Sequence, residues 1–217
     1  MKRILGSTAL AAFLTFGAFG GNARADGTTW EIDTAHSSAQ FSIRHLMVSN
    51  VRGEFGKVTG TVVYDAKDPK KSTVEASIDV NSINTREEKR DAHLKAPDFF
   101  DVAKFPAITF KSKKVEPAGK GKMKIIGDLT IHGVTKTVTL DAEGPATEVK
   151  DPWGNVKSGA VATTKINRKD FGLGWNKALE TGGVVVGEEV SITIDIELTK
   201  KAPAPPAPPA PASPSAK

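Results

Sequence analysis

The chain has 217 residues, with 30 Lys and Arg against 25 Asp and Glu, and no cysteine. That length suits one large domain or two small ones. The missing thiols exclude disulfides, thiolate metal sites and a lipid-modified cysteine, and the lack of a basic block interleaved with aromatics argues against nucleic acid as a partner.

Lys2 and Arg3 open the chain, "ILGSTALAAFLTFGAFGG" follows, and Ala23-Arg24-Ala25 offers an A-x-A cleavage site. This is the pattern of a secretory signal peptide over residues 1–25. A membrane anchor needs about 20 strictly apolar residues, and Gly, Ser and Thr interrupt this run. Without the leader, which carries Lys2, Arg3 and Arg24 and no acid, 27 basic residues face 25 acidic ones. The mature chain is therefore expected to be nearly neutral, exported to a bacterial periplasm, and without an integral membrane span.

Residues 26–201 form the expected domain, dominated by apolar–polar alternation, the signal of half-buried strands. "AQFSIRH" puts Ala39, Phe41, Ile43 and His45 on one face, and a strand over Phe55 to Tyr64 follows. "VEASIDV" sets Val74, Ala76, Ile78 and Val80 against Glu75, Ser77 and Asp79. "TREEKRDAHL" is the one helical stretch, with Thr85 and Glu88 in capping-box spacing. Strands over Ala107 to Val115 and "KMKIIGDLTI" come next, the latter aligning Met123, Ile125, Gly127, Leu129 and Ile131. His132-Gly133 reads as a hairpin turn into Val134 to Ala142; Gly159 to Ile166 and "VSITIDIEL" complete about eight strands. The last aligns Val190, Ile192, Ile194, Ile196 and Leu198. Residues 202–217 hold seven of the thirteen prolines and read as a disordered, polyproline-like tail that cannot join a core. The fold class is all-β with one short helical segment, and short connections favour an up-and-down antiparallel barrel over a sandwich.

An eight-stranded barrel is just wide enough to be filled by side chains or to hold one ligand. Ala39, Gly60, Ala76, Gly127, Ala160 and Ala162 make the apolar faces small, which favours a hollow. Trp30, Phe41, Phe55, Tyr64, Phe110 and Trp175 are large enough to fill it. Periodicity leaves the choice open.

No catalytic motif stands out. The histidines at 36, 45, 93 and 132 show no H-E-x-x-H or other compact metal spacing, and G-x-S-x-G and phosphate loops are missing. His45 falls on the apolar face of its strand, where a hydrogen-bonded core histidine is the commoner reading than a ligand or a base. "FGLGW", Phe171 to Trp175, lacks a strand-to-helix setting and reads as a flexible aromatic loop near a barrel mouth. "RDAHLKAPDFFD", Arg90 to Asp101, is dense in charge, yet a helix ended by Pro97 and pinned by Leu94 and Phe99 or Phe100 needs no catalysis to explain it.

Taken together, "WEIDTAHSSAQFSIRHL", "VRGEFGKVTGTVVYD", "SINTREEKRDAHLKAPDFFDVAKFPAITFKS", "GDLTIHGVTKTVTL", "DFGLGWN" and "GEEVSITIDIEL" resemble the YceI-like family of periplasmic polyisoprenoid-binding proteins. The resemblance runs from Trp30 to Leu198. It implies a lipocalin-like, eight-stranded antiparallel barrel around an elongated apolar tunnel for an isoprenoid lipid, of polyprenyl phosphate or isoprenoid quinone type. It implies no catalysis and no cofactor, and leaves the proline-rich tail unexplained.

On that reading the lining is Ala39, Phe41, Ile43, His45, Ala76, Ile78, Ile125, Leu129, Ala162 and Ile194, chosen by strand parity. The contrasting expectation is an enzyme acting on a small apolar substrate inside the barrel, with His45 or His93 as base; no motif supports it. A third is a surface-interaction protein working through its tail. Head group, chain length and oligomeric state are left open.

Overall fold

The computed structural model describes residues 27–180 and 182–202. The expected leader, and the expected tail beyond Ala202, lie outside them. The strands are β1 (Thr28–Ile32), β2 (Ser38–His45), β3 (Ser49–Phe55), β4 (Val58–Tyr64), β5 (Thr73–Asp79) and β6 (Ile83–Asn84). After helix α1 (Glu88–Lys95) come β7 (Ala107–Pro117), β8 (Lys122–Ile131), β9 (Val134–Glu143), β10 (Val149–Lys150), β11 (Val156–Asn167) and β12 (Val186–Lys200).

These strands make an eight-stranded antiparallel barrel because three of its staves are interrupted. β12 pairs along one side with β11, and along the other first with β2, then with β1. β1 and β2 are thus one stave, broken by a 3₁₀ turn at Thr34–His36 that Asp33 caps through the Ala35 N–H. β3 and β4 form the next stave, with Gly56 and Lys57 between them, because β3 pairs with β2 and β4 with β1. β5 and β6 form the third, broken at Val80–Ser82, where Asp79 accepts from the Asn81 N–H. β7, β8 and β9 follow as a meander. The pairing of β9 with β11 around Ala142 and Ala162 closes the ring, and β10 adds a short flap to β11.

Several sequence expectations change in detail. The strand expected over Phe55 to Tyr64 is the β3–β4 stave, with its kink at the start of the expected range. The helix begins at Glu88 and is capped by Glu87, not by Thr85. Asp91 takes both the N–H and the hydroxyl of Thr85, and Arg86 has φ 62, so the chain turns before it can coil. His132-Gly133 is the predicted turn, with left-handed φ at both residues (52 and 74) as a two-residue hairpin requires.

Inward faces supply one continuous core that includes Trp30, Val58, Val115 and Leu198. Phe171, expected in a flexible loop, is 2% exposed: it ends a 3₁₀ turn that Gly172 closes in the left-handed region, and its ring joins the core. At one end of the barrel β2 finishes and β12 begins. Across this end runs the segment from α1 to Phe105, with Phe100 edge-on to Phe55 of β3 and Phe99 against Trp175. The opposite end holds the start of β1 and the finish of β12.

Candidate functional site: the barrel cavity

The barrel encloses a cavity of about 380 Å³, within the roughly 300–1,000 Å³ of small-molecule sites. All ten residues chosen by strand parity lie on its wall: Ala39, Phe41, Ile43 and His45 from β2, Ala76 and Ile78 from β5, Ile125 and Leu129 from β8, Ala162 from β11 and Ile194 from β12. The six aromatics that could have filled the space line it instead.

The small residues act differently from their sequence reading. A Cβ on Gly127 would lie 2.6 Å from the Phe110 ring, and one on Gly53 2.5 Å from the Phe41 ring. These glycines seat rings flat in the wall, an arrangement that lets an aromatic cover a strand glycine. Ala76, Ala160 and Ala162 border the lumen itself.

The wall is apolar at the end where β1 starts and β12 finishes, with Trp30, Val115 and Leu198 each at most 2% exposed. Trp30 Nε1 is buried there without a hydrogen-bond partner among the described residues. Polar residues gather at the other end: Arg44, His45, Arg90, His93 and Arg168. His45 is half-buried, and its imidazole makes no hydrogen bond with the described residues. His93 is fixed, its Nε2 2.7 Å from Asp98 and its ring edge-on to Phe99 and Trp175 at 5.1 Å each. Arg90 donates to the hydroxyl and the carbonyl of Thr85. The dense cluster around "RDAHL" is therefore tied up in local structure.

Arg168 is the residue that periodicity missed. It is 3% exposed and lines the cavity, yet among the described residues its guanidinium donates only to the backbone carbonyls of Gly187, Leu173 and Val186. No described carboxylate forms an ion pair with it. Burial pushes its pKa down, partly offset by the field of Glu188.

At the apolar end, outside the cavity, Asp33, His36 and Glu197 bring their ligand atoms within 4.8 Å of one another. Lys157 already occupies this group, its ammonium 2.6 Å from Asp33 and 3.0 Å from Glu197. Its hydrogen bond holds the Asp33 carboxyl down at about 2. This is an ion-pair network that pins the β1–β2 interruption to β11 and β12.

A closed antiparallel barrel around an apolar cavity, with one polar end, defines a lipocalin-like protein. The comparisons name the family: the YceI-like domain matches residues 30–198, and the chain belongs to the YceI-like family. It is 40% identical over 172 residues to a UPF0312 protein of Staphylococcus aureus strain N315, covering 79% of this chain and 98% of that protein. Among solved structures, a Campylobacter jejuni YceI protein is 32% identical with a TM-score of 0.61, over 73% of this chain and 90% of that one. Burkholderia cenocepacia BcnA is 25% identical with a TM-score of 0.65, over 76% and 98%. A polyisoprenoid-binding domain of Saccharophagus degradans, implicated in plant cell wall breakdown, shares the fold at 14% identity and a TM-score of 0.57, over 80% and 99%.

Proposed function

We propose that the protein binds and carries an isoprenoid lipid, without transforming it, as an exported protein of the periplasm. The observation that carries this reading is the apolar cavity walled by the ten residues above. A prenyl chain gains ~0.8 kcal/mol for each carbon it buries and asks for few polar partners. The domain of Saccharophagus degradans with the same fold is described as polyisoprenoid-binding, which supports the same class of ligand here.

The tail of the ligand would lie against Ala39, Phe41, Ala76, Ile125 and Ala162, and its head group at the end of His45 and Arg168. A phosphate or a quinone ring suits those donors. Binding is favoured over catalysis because His93, one of the two candidate bases, is held between Asp98, Phe99 and Trp175. The test is mass spectrometry of an organic extract from protein purified without detergent. A stoichiometric prenyl lipid is expected; an extract empty of apolar molecules, with no uptake of an added prenyl quinone, overturns the reading. The export half is checked by the intact mass of the mature protein, which should begin at Asp26.

A further inference from the structure

Exposed apolar side chains among the described residues gather at two places and are otherwise single. Leu46, Met47 and Val48 stand consecutively on the tip of the β2–β3 hairpin, 39%, 51% and 75% exposed. Val149 and Trp153, 60% and 84% exposed, lie around the turn between β10 and β11, toward the opposite end of the barrel.

The hairpin tip is built onto the polar end of the cavity. Its two flanking positions, His45 and Ser49, pair across the hairpin, and Ile43 and His45 line the lumen. The Leu46 N–H donates to the carbonyl of Val185, itself a lining residue, at 2.8 Å. Arg44 donates to the Met47 carbonyl at 2.9 Å, which sets a cation at the base of the tip. Leu46 and Met47 hold left-handed φ of 49 and 63, a conformation that Asn or Gly adopts more readily. The turn therefore presents apolar side chains where turn chemistry alone would choose polar or small ones.

We propose that this tip is a membrane-docking surface, which enters the headgroup region of a phospholipid bilayer so that a prenyl lipid passes between bilayer and cavity without crossing water. The proposal rests on the lipid-binding reading above. A bilayer is the occupant that the geometry favours for two reasons. The patch is continuous with the cavity wall, and the ligand of such a cavity resides in a membrane. Apolar side chains with a cation at their base also suit the interface, where Arg44 can meet lipid phosphates. A second copy of the chain fits less well: three side chains fall far short of the roughly 800 Å² per partner of a stable protein interface.

The experiment uses the full mature chain and vesicles of phosphatidylcholine with phosphatidylglycerol, read by co-sedimentation. Met47→Asn combined with Val48→Asp removes the apolar tip, and Asn tolerates the left-handed backbone, so folding is kept; circular dichroism and Tm verify this. Trp153→Asp is the control at the opposite end. The double variant should lose about tenfold or more in vesicle partition, equivalent to about 1.4 kcal/mol, while Trp153→Asp binds like wild type. It should also fill with a prenyl quinone added from ethanol to the wild-type stoichiometry, but take it more slowly from vesicles.

Wild-type protein that fills from ethanol yet ignores vesicles overturns the docking proposal and leaves lipid binding intact. So does a double variant with unchanged partition, or self-association of the wild type that the double variant abolishes without any vesicle binding. Wild-type protein that cannot be filled from ethanol overturns the lipid-binding reading, and the transfer role falls with it.

Discussion

Ala162 is where the hollow can be tested most directly. It lies on β11 opposite Ile194 of β12 and Ala142 of β9, and its methyl group borders the lumen. Ala162→Phe projects a ring into space that a prenyl chain would occupy. Displacing one isoprene unit, about five carbons at ~0.8 kcal/mol each, forfeits up to ~4 kcal/mol of binding. A chain that slides along the tunnel recovers part of this, so Kd should rise between about tenfold and several hundredfold. A close-packed interior would respond differently, losing ~1–3 kcal/mol or more of stability to overpacking. Thr163, the next residue, is exposed and faces out, because one step along a strand reverses the face. Thr163→Phe should therefore leave both binding and Tm nearly unchanged. The assay is titration with a prenyl quinone together with thermal melts of the three proteins. Severe destabilisation by Ala162→Phe, in a protein whose wild type carries no lipid, would refute the reasoning and return the barrel to a filled core.

His93→Ala should lower stability by ~0.5–2 kcal/mol through loss of the Asp98 contact and the Phe99 and Trp175 packing, with ligand stoichiometry kept; a well-folded variant that binds nothing would make His93 a ligand contact. Arg168→Met orphans three backbone carbonyls and should cost about 2–4 kcal/mol while loosening residues 173–187, read by denaturant melts and limited proteolysis; unchanged stability would show that the guanidinium is not a structural tie. Asp33 has a folded pKa of about 2 against an ordinary 3.8, so its contribution is complete above the unfolded value and disappears as pH falls toward the folded one. The Tm gap between wild type and Asp33→Asn should therefore be worth roughly 1–2 kcal/mol at neutral pH, after solvent screening, and should close toward pH 2; a gap independent of pH would contradict the Lys157 pairing.

The long strands were legible because strand parity is rigid. Once one member of a face is placed inward, its whole set follows, and this is why ten positions on five strands could all reach one wall. β1 and β3 were not. In β3 the inward positions are Val51, Gly53 and Phe55, and Gly53 breaks the apolar pattern because its missing side chain makes room for Phe41. β1 is five residues long and becomes a stave only by continuing into β2. The interruptions did leave a local signal: Asp33 and Asp79 each accept from the N–H two residues on, a turn that aspartate makes well. The T-x-x-E spacing at Thr85 misled because Asp91 takes the Thr85 N–H that Glu88 would accept in a capping box.

Arg168 shows the limit of reading a site from sequence. Its neighbour Lys169 has the same charge and is exposed, paired with Glu188. What separates the two is a set of carbonyls at 173, 186 and 187, two of them brought back to residue 168 only by the pairing of β11 with β12. The hollow has the same kind of origin. A count of small and large inward residues could not decide it, because the count omits where each ring goes. Phe110 lies over Gly127 and Phe41 over Gly53, each glycine on a neighbouring strand, so two of the largest side chains thicken the wall and leave the lumen free. The cavity is thus a property of ring–glycine pairs formed between strands, and only the register that joins those strands reveals it.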